Sequence, residues 1–392
     1  MVKRMKKILV IVPNMDVGGV TTSAINFCNE LAKRGNNVHF LNMGKEIISA
    51  EKGLDNTIKK IRLIGKEKKW NLNAREIKRE SLKKKIKLFP IAVIKKLTNQ
   101  SERWLNIIFY RYCIAEEYDI AVAFKQCAPC YYFTLNCTRA KKKIAFIHGD
   151  LNYMGDISSW DVYFDKFDAI ACVSDAVRSG FQNKYAKFTE KFVTIYNMFD
   201  RKEIVNKAKI KVQNIHIDSN ICNIVTVARI ENETKRIDII PEICEALKKC
   251  VDNPFHWYVI GDGPDLEINR QKSFLLGTDD VLTFYGSMDN PFFVMQQMDF
   301  SVLPSKTEAY SMVVMESLIL GKPVVLSRYP GAEEAVEDGK TGLIANQSME
   351  DLTEKITQLI SDQSLRNNLK LNVKNAVINN DKAYLQFEKI TV

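Results

Sequence analysis

Residues 299–327 read DFSVLPSKTEAYSMVVMESLILGKPVVLS. DFSVLP (299–304) and KPVVLS (322–327) are short apolar runs with the pattern of buried strands, and 309–320 between them has helical character. A strand, a helix and a second strand in succession predict parallel pairing. The alternation extends in both directions. Toward the N-terminus, strands are predicted at KILVIVP (7–13), NVHFLN (37–42), YDIAVAF (118–124), KIAFIH (143–148), DAIACVS (168–174) and FVTIYN (192–197), with a helix over 20–34. CNIVTVA (222–228), HWYVIG (256–261) and VLTFYG (281–286) are further strands, 237–250 is a helix, and 381–390 is a short amphipathic helix.

At 392 residues the chain is too long for one compact core. Residues 198–220 are polar with no long apolar run and read as a linker. The expected fold class is therefore α/β, with two Rossmann-like doubly wound domains that would face each other across a cleft. We expect an N-terminal domain over 1–200, a C-terminal domain over 201–375, and a helix over 376–392 that would pack back on the first domain. Ligands of such sheets bind beyond the carboxyl ends of the strands, so functional residues should stand just after strands.

Composition removes several classes of function. Hydrophobic residues make up 46% and charged residues 27%, which excludes wholesale disorder. No stretch approaches the roughly 20 apolar residues of a membrane span. KILVIVP is too short for a signal-peptide core, and the expected location is the cytoplasm. Nine scattered cysteines argue against a secreted disulfide framework. Cys127 and Cys130 form a C-x-x-C, but no second pair stands at zinc-site spacing. Residues 59–100 hold 15 Lys or Arg against Glu67, Glu76 and Glu80, while the whole chain nets +10, so the basicity is local.

After SVLPS comes KTEAYSMVVMESL, with Glu308 and Glu316 eight positions apart. On a helix that spacing is about 80° off alignment, so the two carboxylates would reach different parts of one extended ligand. The amides of Ala309, Tyr310, Ser311 and Met312 would form a helix N-terminus, an anion site. A diphosphate placed there would put its sugar near Glu308 and its nucleoside near Glu316. The plainer reading makes Glu308 a helix cap and Glu316 a solvated acid. Against it, Glu316 lies in an apolar helix, where a buried acid needs a partner. Gly18–Gly19 follow the first strand and would let the backbone approach a ligand. They do not form G-x-G-x-x-G. His148 ends a strand, and Asp150 follows closely. No D-x-D, a frequent metal-diphosphate motif, occurs in the chain.

PSKTEAYSMVVMESLILGKPVVLSRYPGAEEAVEDGKTGLIA (304–345) resembles the signature of the family 4 (GT4) retaining glycosyltransferases, with their paired glutamates. GDGP (261–264), VARI (227–230) with Lys235 beyond it, and the glycine-bearing first loop extend the resemblance over about residues 5–365. It implies the GT-B architecture and transfer of a sugar, with anomeric retention, from a nucleotide sugar. Arg229 and Lys235 would clamp the donor diphosphate, where negative charge grows as the glycosidic bond breaks. Glu308 would face the donor sugar and Glu316 the ribose hydroxyls. Gly261 and Gly263 would turn tightly beside the donor, and Tyr285 would end a strand near the nucleobase. Gly18 and Gly19 would lie near the diphosphate and the acceptor, His148 near the transferred sugar, and Asp150 near His148 or the acceptor. The family often has glycines after the first glutamate, where Ala309 and Ser311 stand here.

The expected donor is a UDP-linked hexose or N-acetylhexosamine, and the expected acceptor is a glycan or lipid-linked sugar of a capsule, lipopolysaccharide or other cell-surface polysaccharide. No cofactor and no metal are expected, because the clamp would replace the ion. Within the basic segment, LKKKIKLFPIAVIKKL (82–97) interleaves lysines with apolar residues. That suits an anionic membrane surface, and hence peripheral attachment at the inner face of the plasma membrane. Its alternative is a helix packed on the N-terminal domain. Nucleic-acid binding is not expected. Two other readings stay open: a non-catalytic subunit that binds a sugar nucleotide or glycan, and another GT-B enzyme such as a sugar-nucleotide epimerase or phosphorylase.

Overall fold

A computed structural model describes residues 5–16, 18–44, 51–62, 114, 116–154, 157, 160–213, 215–376 and 379–391. The basic segment beyond residue 62, including 82–97, lies outside them. The chain divides into two compact units. The first comprises Met1–Val173, Arg178–Met198 and Asp381–Val392; the second comprises Ser174–Val177 and Phe199–Asn380.

The first unit is built on a seven-stranded parallel sheet. Its strands are β1 (Lys7–Val12), β2 (Asn37–Asn42), β3 (Lys59–Arg62), β4 (Glu117–Ala123), β5 (Arg139–Ile147), β6 (Ala169–Cys172) and β7 (Phe192–Thr194). Their order is β3-β2-β1-β4-β5-β6-β7. The chain winds outward from β1, then returns to build the other half from β4. The winding therefore reverses between β1 and β4. Ile8, Leu9, Val10 and Ile11 of β1 are wholly buried, as a central strand covered on both faces requires. The helix Asp381–Thr391 completes this unit. Phe387 meets Phe27 edge-on at 5.2 Å. The Arg34 guanidinium lies 4.2 Å from the Tyr384 ring centre and bonds Asp381 at 2.6 Å.

The second unit carries a six-stranded parallel sheet in the order β10-β9-β8-β11-β12-β13. The strands are β8 (Cys222–Val227), β9 (Phe255–Ile260), β10 (Leu282–Gly286), β11 (Phe300–Leu303), β12 (Val324–Ser327) and β13 (Gly342–Ala345). Here the winding reverses between β8 and β11. Trp257 is fully buried in this core; its Nε1 donates to Thr226 Oγ1 at 3.0 Å, and that hydroxyl donates to the Val302 carbonyl at 2.8 Å. The indole N–H and the threonine hydroxyl thus satisfy each other inside an apolar core.

The two doubly wound α/β sheets are those the sequence predicts. Several local expectations need correction. The stretch 198–220 is not all linker: it holds the helix Arg201–Ala208, capped by the Asp200 carboxylate accepting from the Glu203 amide at 2.9 Å. Only Ile204 and Ala208 of that helix are buried, so its apolar signal is two residues wide. β5 begins at Arg139, four residues before the predicted strand, because Lys141, Lys142 and Lys143 mask its start. β3 forms at the edge of the basic segment and β13 forms from GLIA; both are four residues long. Among the described residues no helix is long and apolar enough to cross a membrane.

Candidate functional site

In the second unit the reversal between β8 and β11 places two loops side by side. β8 ends at Val227, and the chain runs through Ala228, Arg229 and Ile230 into the short helix Asn232–Lys235. β11 ends at Leu303, followed by Pro304–Ser311. The Lys306 amide donates to the Thr234 carbonyl at 2.8 Å and holds the loops together. Across them Lys235 Nζ contacts Glu308 Oε1 at 2.6 Å, with the two side chains 25% and 13% exposed. Ser305 Oγ donates to the same oxygen at 3.0 Å. One ammonium N–H is engaged on Glu308, which leaves two for another anion. Arg229 is exposed, and its guanidinium makes no hydrogen bond or ion pair among the described residues.

Gly261 and Gly263 shape the Arg229 loop from below. The Ile230 amide donates to the Asp262 carbonyl at 3.0 Å, and the Gly261 amide to Gly286 at 2.8 Å. A Cβ on Gly261 (φ +146) would sit 1.7 Å from the Ala228 carbonyl oxygen, and one on Gly263 would sit 2.2 Å from that of Ile230. Neither position tolerates a side chain without moving the backbone that carries Arg229. Tyr285, near the end of β10, stacks on Tyr258 with ring centres 5.8 Å apart and planes 15° from parallel.

The helix after Glu308 starts later than the sequence predicts. It spans Met312–Ile319, not 309–320. Ser311 is its N-cap and accepts from the Val314 amide at 3.4 Å. A serine cap satisfies one of the first amides and sets where the helix begins. Ala309 and Tyr310 therefore lie in the bend before the helix, and Glu308 does not cap it. The Tyr310 hydroxyl is turned to Met315 Sδ at 3.5 Å.

Glu316 is no solvated acid. It is buried, and burial pushes its carboxyl up to about 7, opposed by the charge of Lys207. Lys207 itself pairs with Glu203 at 2.6 Å. Sequence reasoning missed three contributors. Ser305 was legible in PSKTE as a neighbour of Glu308. Lys207 belongs to the helix hidden in 198–220. Tyr329, two residues beyond β12, is 3% exposed, and its buried hydroxyl has no hydrogen-bond partner. Burial and the nearby Glu308 charge both raise that hydroxyl's pKa.

The remaining candidates belong to the first unit. Gly18 is the N-cap of the helix Gly19–Lys33, so the Gly18–Gly19 pair stands at the carboxyl end of β1. His148 follows β5. Its amide donates to Gln126 Oε1 at 3.0 Å, and its ring packs 4.7 Å from Phe124 and 5.7 Å from Phe146. Burial holds the imidazole down at about 4, and the ring bonds the Phe124 backbone. Nε2 is buried without a partner, so the bond to Phe124 falls on Nδ1. A neutral ring with Nδ1–H engaged presents an acceptor lone pair at Nε2. Asp150 caps the 3-10 turn Leu151–Tyr153, accepting from the Asn152 amide at 3.0 Å.

Residues 207–376, which lie within the second unit, match the Glycosyl transferases group 1 family. An uncharacterised glycosyltransferase of Methanocaldococcus jannaschii is 33% identical over 156 residues, 36% of this chain and 39% of that protein. The chain thus spans about two-fifths of that relative. The N-acetyl-alpha-D-glucosaminyl L-malate synthase of Bacillus anthracis is 21% identical over 313 residues, covering 77% of this chain and 78% of that one. Among solved structures, a mutant S. aureus TarM in complex with fondaparinux, alpha-GlcNAc-glycerol and UDP superposes with a TM-score of 0.73 at 17% identity, over 99% of this chain and all of that one. The second unit therefore carries a glycosyl transferases group 1 domain, in a chain whose two Rossmann-like sheets have the GT-B fold.

Proposed function

We propose that this chain is a retaining glycosyltransferase that takes a sugar from a nucleotide diphosphate donor, a UDP-linked hexose or N-acetylhexosamine, to a lipid-linked or polysaccharide acceptor. The observation that carries this is the Lys235–Glu308 pair, 2.6 Å apart where the winding of the second sheet reverses, with Arg229 exposed beside it. Doubly wound sheets bind nucleotides at such a reversal. Lys235 and Arg229 would hold the diphosphate and stabilise the charge it gains on leaving. Both bonds to Glu308 fall on Oε1, so Oε2 is assigned to a sugar hydroxyl. Glu316 is assigned to the ribose diol, the free face of Tyr285 to the base, and Nε2 of His148 to a substrate hydroxyl. The acceptor oxygen bonds the anomeric carbon on the face from which the diphosphate departs, and its proton passes to the departing phosphate oxygen. The UDP held by S. aureus TarM supports the choice of base.

With Arg229 and Lys235 supplying the positive charge, no metal is required. UDP at 100 times its dissociation constant is expected to stabilise the protein by about 3 kcal/mol. The shift should persist in EDTA and vanish in Lys235→Ala. A shift that requires magnesium would refute the metal-free clamp. A chain unmoved by every nucleotide sugar would refute the donor site itself.

The basic segment 59–100 is assigned to an anionic membrane surface, at about 1 kcal/mol per basic residue near it. The protein should sediment with phosphatidylglycerol vesicles. Replacing Lys83, Lys84, Lys85 and Lys87 with glutamine should release it. Unchanged sedimentation after that replacement disposes of this assignment.

A further inference from the structure

The C-x-x-C of the first unit has no role in the transfer proposed above, yet it has the placement of a reactive pair. Cys127 is the N-cap of the ten-residue helix Ala128–Cys137, with Pro129 in the first turn. Residues three apart at a helix start lie on the same face, and each thiol feels the other. They are unequally placed. Cys127 is half-buried beside exposed Ala128 and Pro129, whereas Cys130 is wholly buried, its Sγ 3.5 Å from the Ile11 carbonyl oxygen. The loop follows β4, the strand beside β1 where the winding of this sheet reverses.

We propose that Cys127 and Cys130 are a redox-active dithiol, a modification site at which a peroxide forms an intrachain disulfide. The Cys127 thiolate attacks one peroxide oxygen and the O–O bond breaks. Cys127 becomes a sulfenic acid, and the other oxygen leaves as hydroxide. Cys130 gives its proton to that hydroxide and attacks the Cys127 sulfur, which expels the sulfenic oxygen as a second hydroxide; this takes up a solvent proton. With hydrogen peroxide as the oxidant, one peroxide is reduced to two waters while two thiols become one disulfide.

The surroundings favour this order of events. The hydrogen bond from Cys130, its backbone amide and the Lys125 charge bring Cys127 down to about 7, against desolvation. Burial holds Cys130 well above the ordinary thiol range. The thiolate is the nucleophile in such chemistry, so Cys127 attacks first and Cys130 resolves. Cys28, Cys172, Cys222 and Cys244 are buried with their thiols pushed up, and Cys250 is exposed but has no neighbouring cysteine among the described residues. Gln126, directly before the pair, holds the His148 amide, so oxidation acts one hydrogen bond away from His148.

The test uses the reduced full chain, an equimolar dose of hydrogen peroxide, iodoacetamide quenching and peptide mass mapping. The peptide carrying Cys127 and Cys130 should be unlabelled and lighter by two hydrogen atoms, while Cys250 is alkylated. Cys130→Ser should stop at a Cys127 sulfenic acid that dimedone captures. Both cysteines alkylated while other thiols oxidise would overturn the proposal, as would a folded Cys130→Ser protein that forms no dimedone adduct. If Cys130→Ser does not fold, alkylation of Cys127 in the unaltered chain decides. Its rate should be half-maximal near pH 7, and a rate still climbing above about pH 8.5, where an ordinary thiol titrates, overturns it. None of these readouts depends on sugar transfer.

Discussion

Lys235→Ala is expected to lower sugar transfer by about 100- to 1,000-fold, the usual loss when one preorganised group facing a developing charge is removed. The side chain has two tasks. It bonds Glu308 Oε1 at 2.6 Å, and in the proposed reaction its remaining N–H groups face the departing diphosphate. Alanine removes both and leaves Glu308 with the Ser305 hydroxyl as its partner. The stability loss should be far smaller, about 1 kcal/mol, because the pair is partly exposed to water. Glu308→Gln keeps an oxygen for Ser305 to donate to but loses the charge, and it should reduce kcat by a similar order. The double variant should lose less than the product of the single losses, since residues that act as a unit are not additive. Steady-state kinetics on the four proteins, with melting curves alongside, check this. Full turnover by Lys235→Ala would end the diphosphate assignment, and strict multiplicativity would end the idea of a working pair.

Glu316→Gln is expected to stabilise the protein in alkaline buffer and to do little in acid. Burial raises the folded-state carboxyl from 4.5 to about 7. Below about 4.5 both folded and unfolded chains hold the proton, and the carboxyl favours neither. Between 4.5 and 7 the unfolded chain releases the proton while the folded one keeps it, so stability falls as pH rises. Above 7 the full difference is present, about 3 kcal/mol at 1.36 kcal/mol per unit. Glutamine carries no such penalty. Its melting temperature should exceed the parent's by roughly 6–12 °C at pH 8, for a domain of this size, and match it near pH 4. If the carboxylate also receives the ribose diol, the same variant should bind UDP more weakly. A gain in stability with a loss of affinity would mark a group retained for function against its folding cost. An equal shift at both pH values would show that the carboxyl is not held neutral by burial.

These predictions depend unequally on what could be read in advance. Strand β2 was legible to the residue as NVHFLN, because Val38, Phe40 and Leu41 form a short apolar stretch bounded by Asn37 and Asn42. The alternation of strands and helices, and with it two doubly wound sheets, followed from the same local rule. Glu308 and Glu316 were legible as chemical candidates because they follow the apolar run SVLP and sit at or in an apolar helix, whereas Lys235 became a candidate only through the family resemblance. The start of the helix at Met312 was not, because a serine cap at Ser311 competes with the helical bias of Ala309 and Tyr310. The helix at Arg201–Ala208 and strands β3 and β13 were missed because two buried residues, or four strand residues, are too few to show a period.

Tertiary structure alone decided the rest. Lys235 and Glu308 are 73 positions apart, and only the reversal of winding between β8 and β11 brings their loops together. The helix Asp381–Thr391 completes the first unit although the second unit precedes it in the chain. The unpartnered Tyr329 hydroxyl comes near the Glu308 charge from beyond β12. Local apolar periodicity dictates which segments become strands and helices, since burial is judged one or two turns at a time. Which charges meet, and which acid is denied water, depends on strand order and packing, and these are properties of the folded chain.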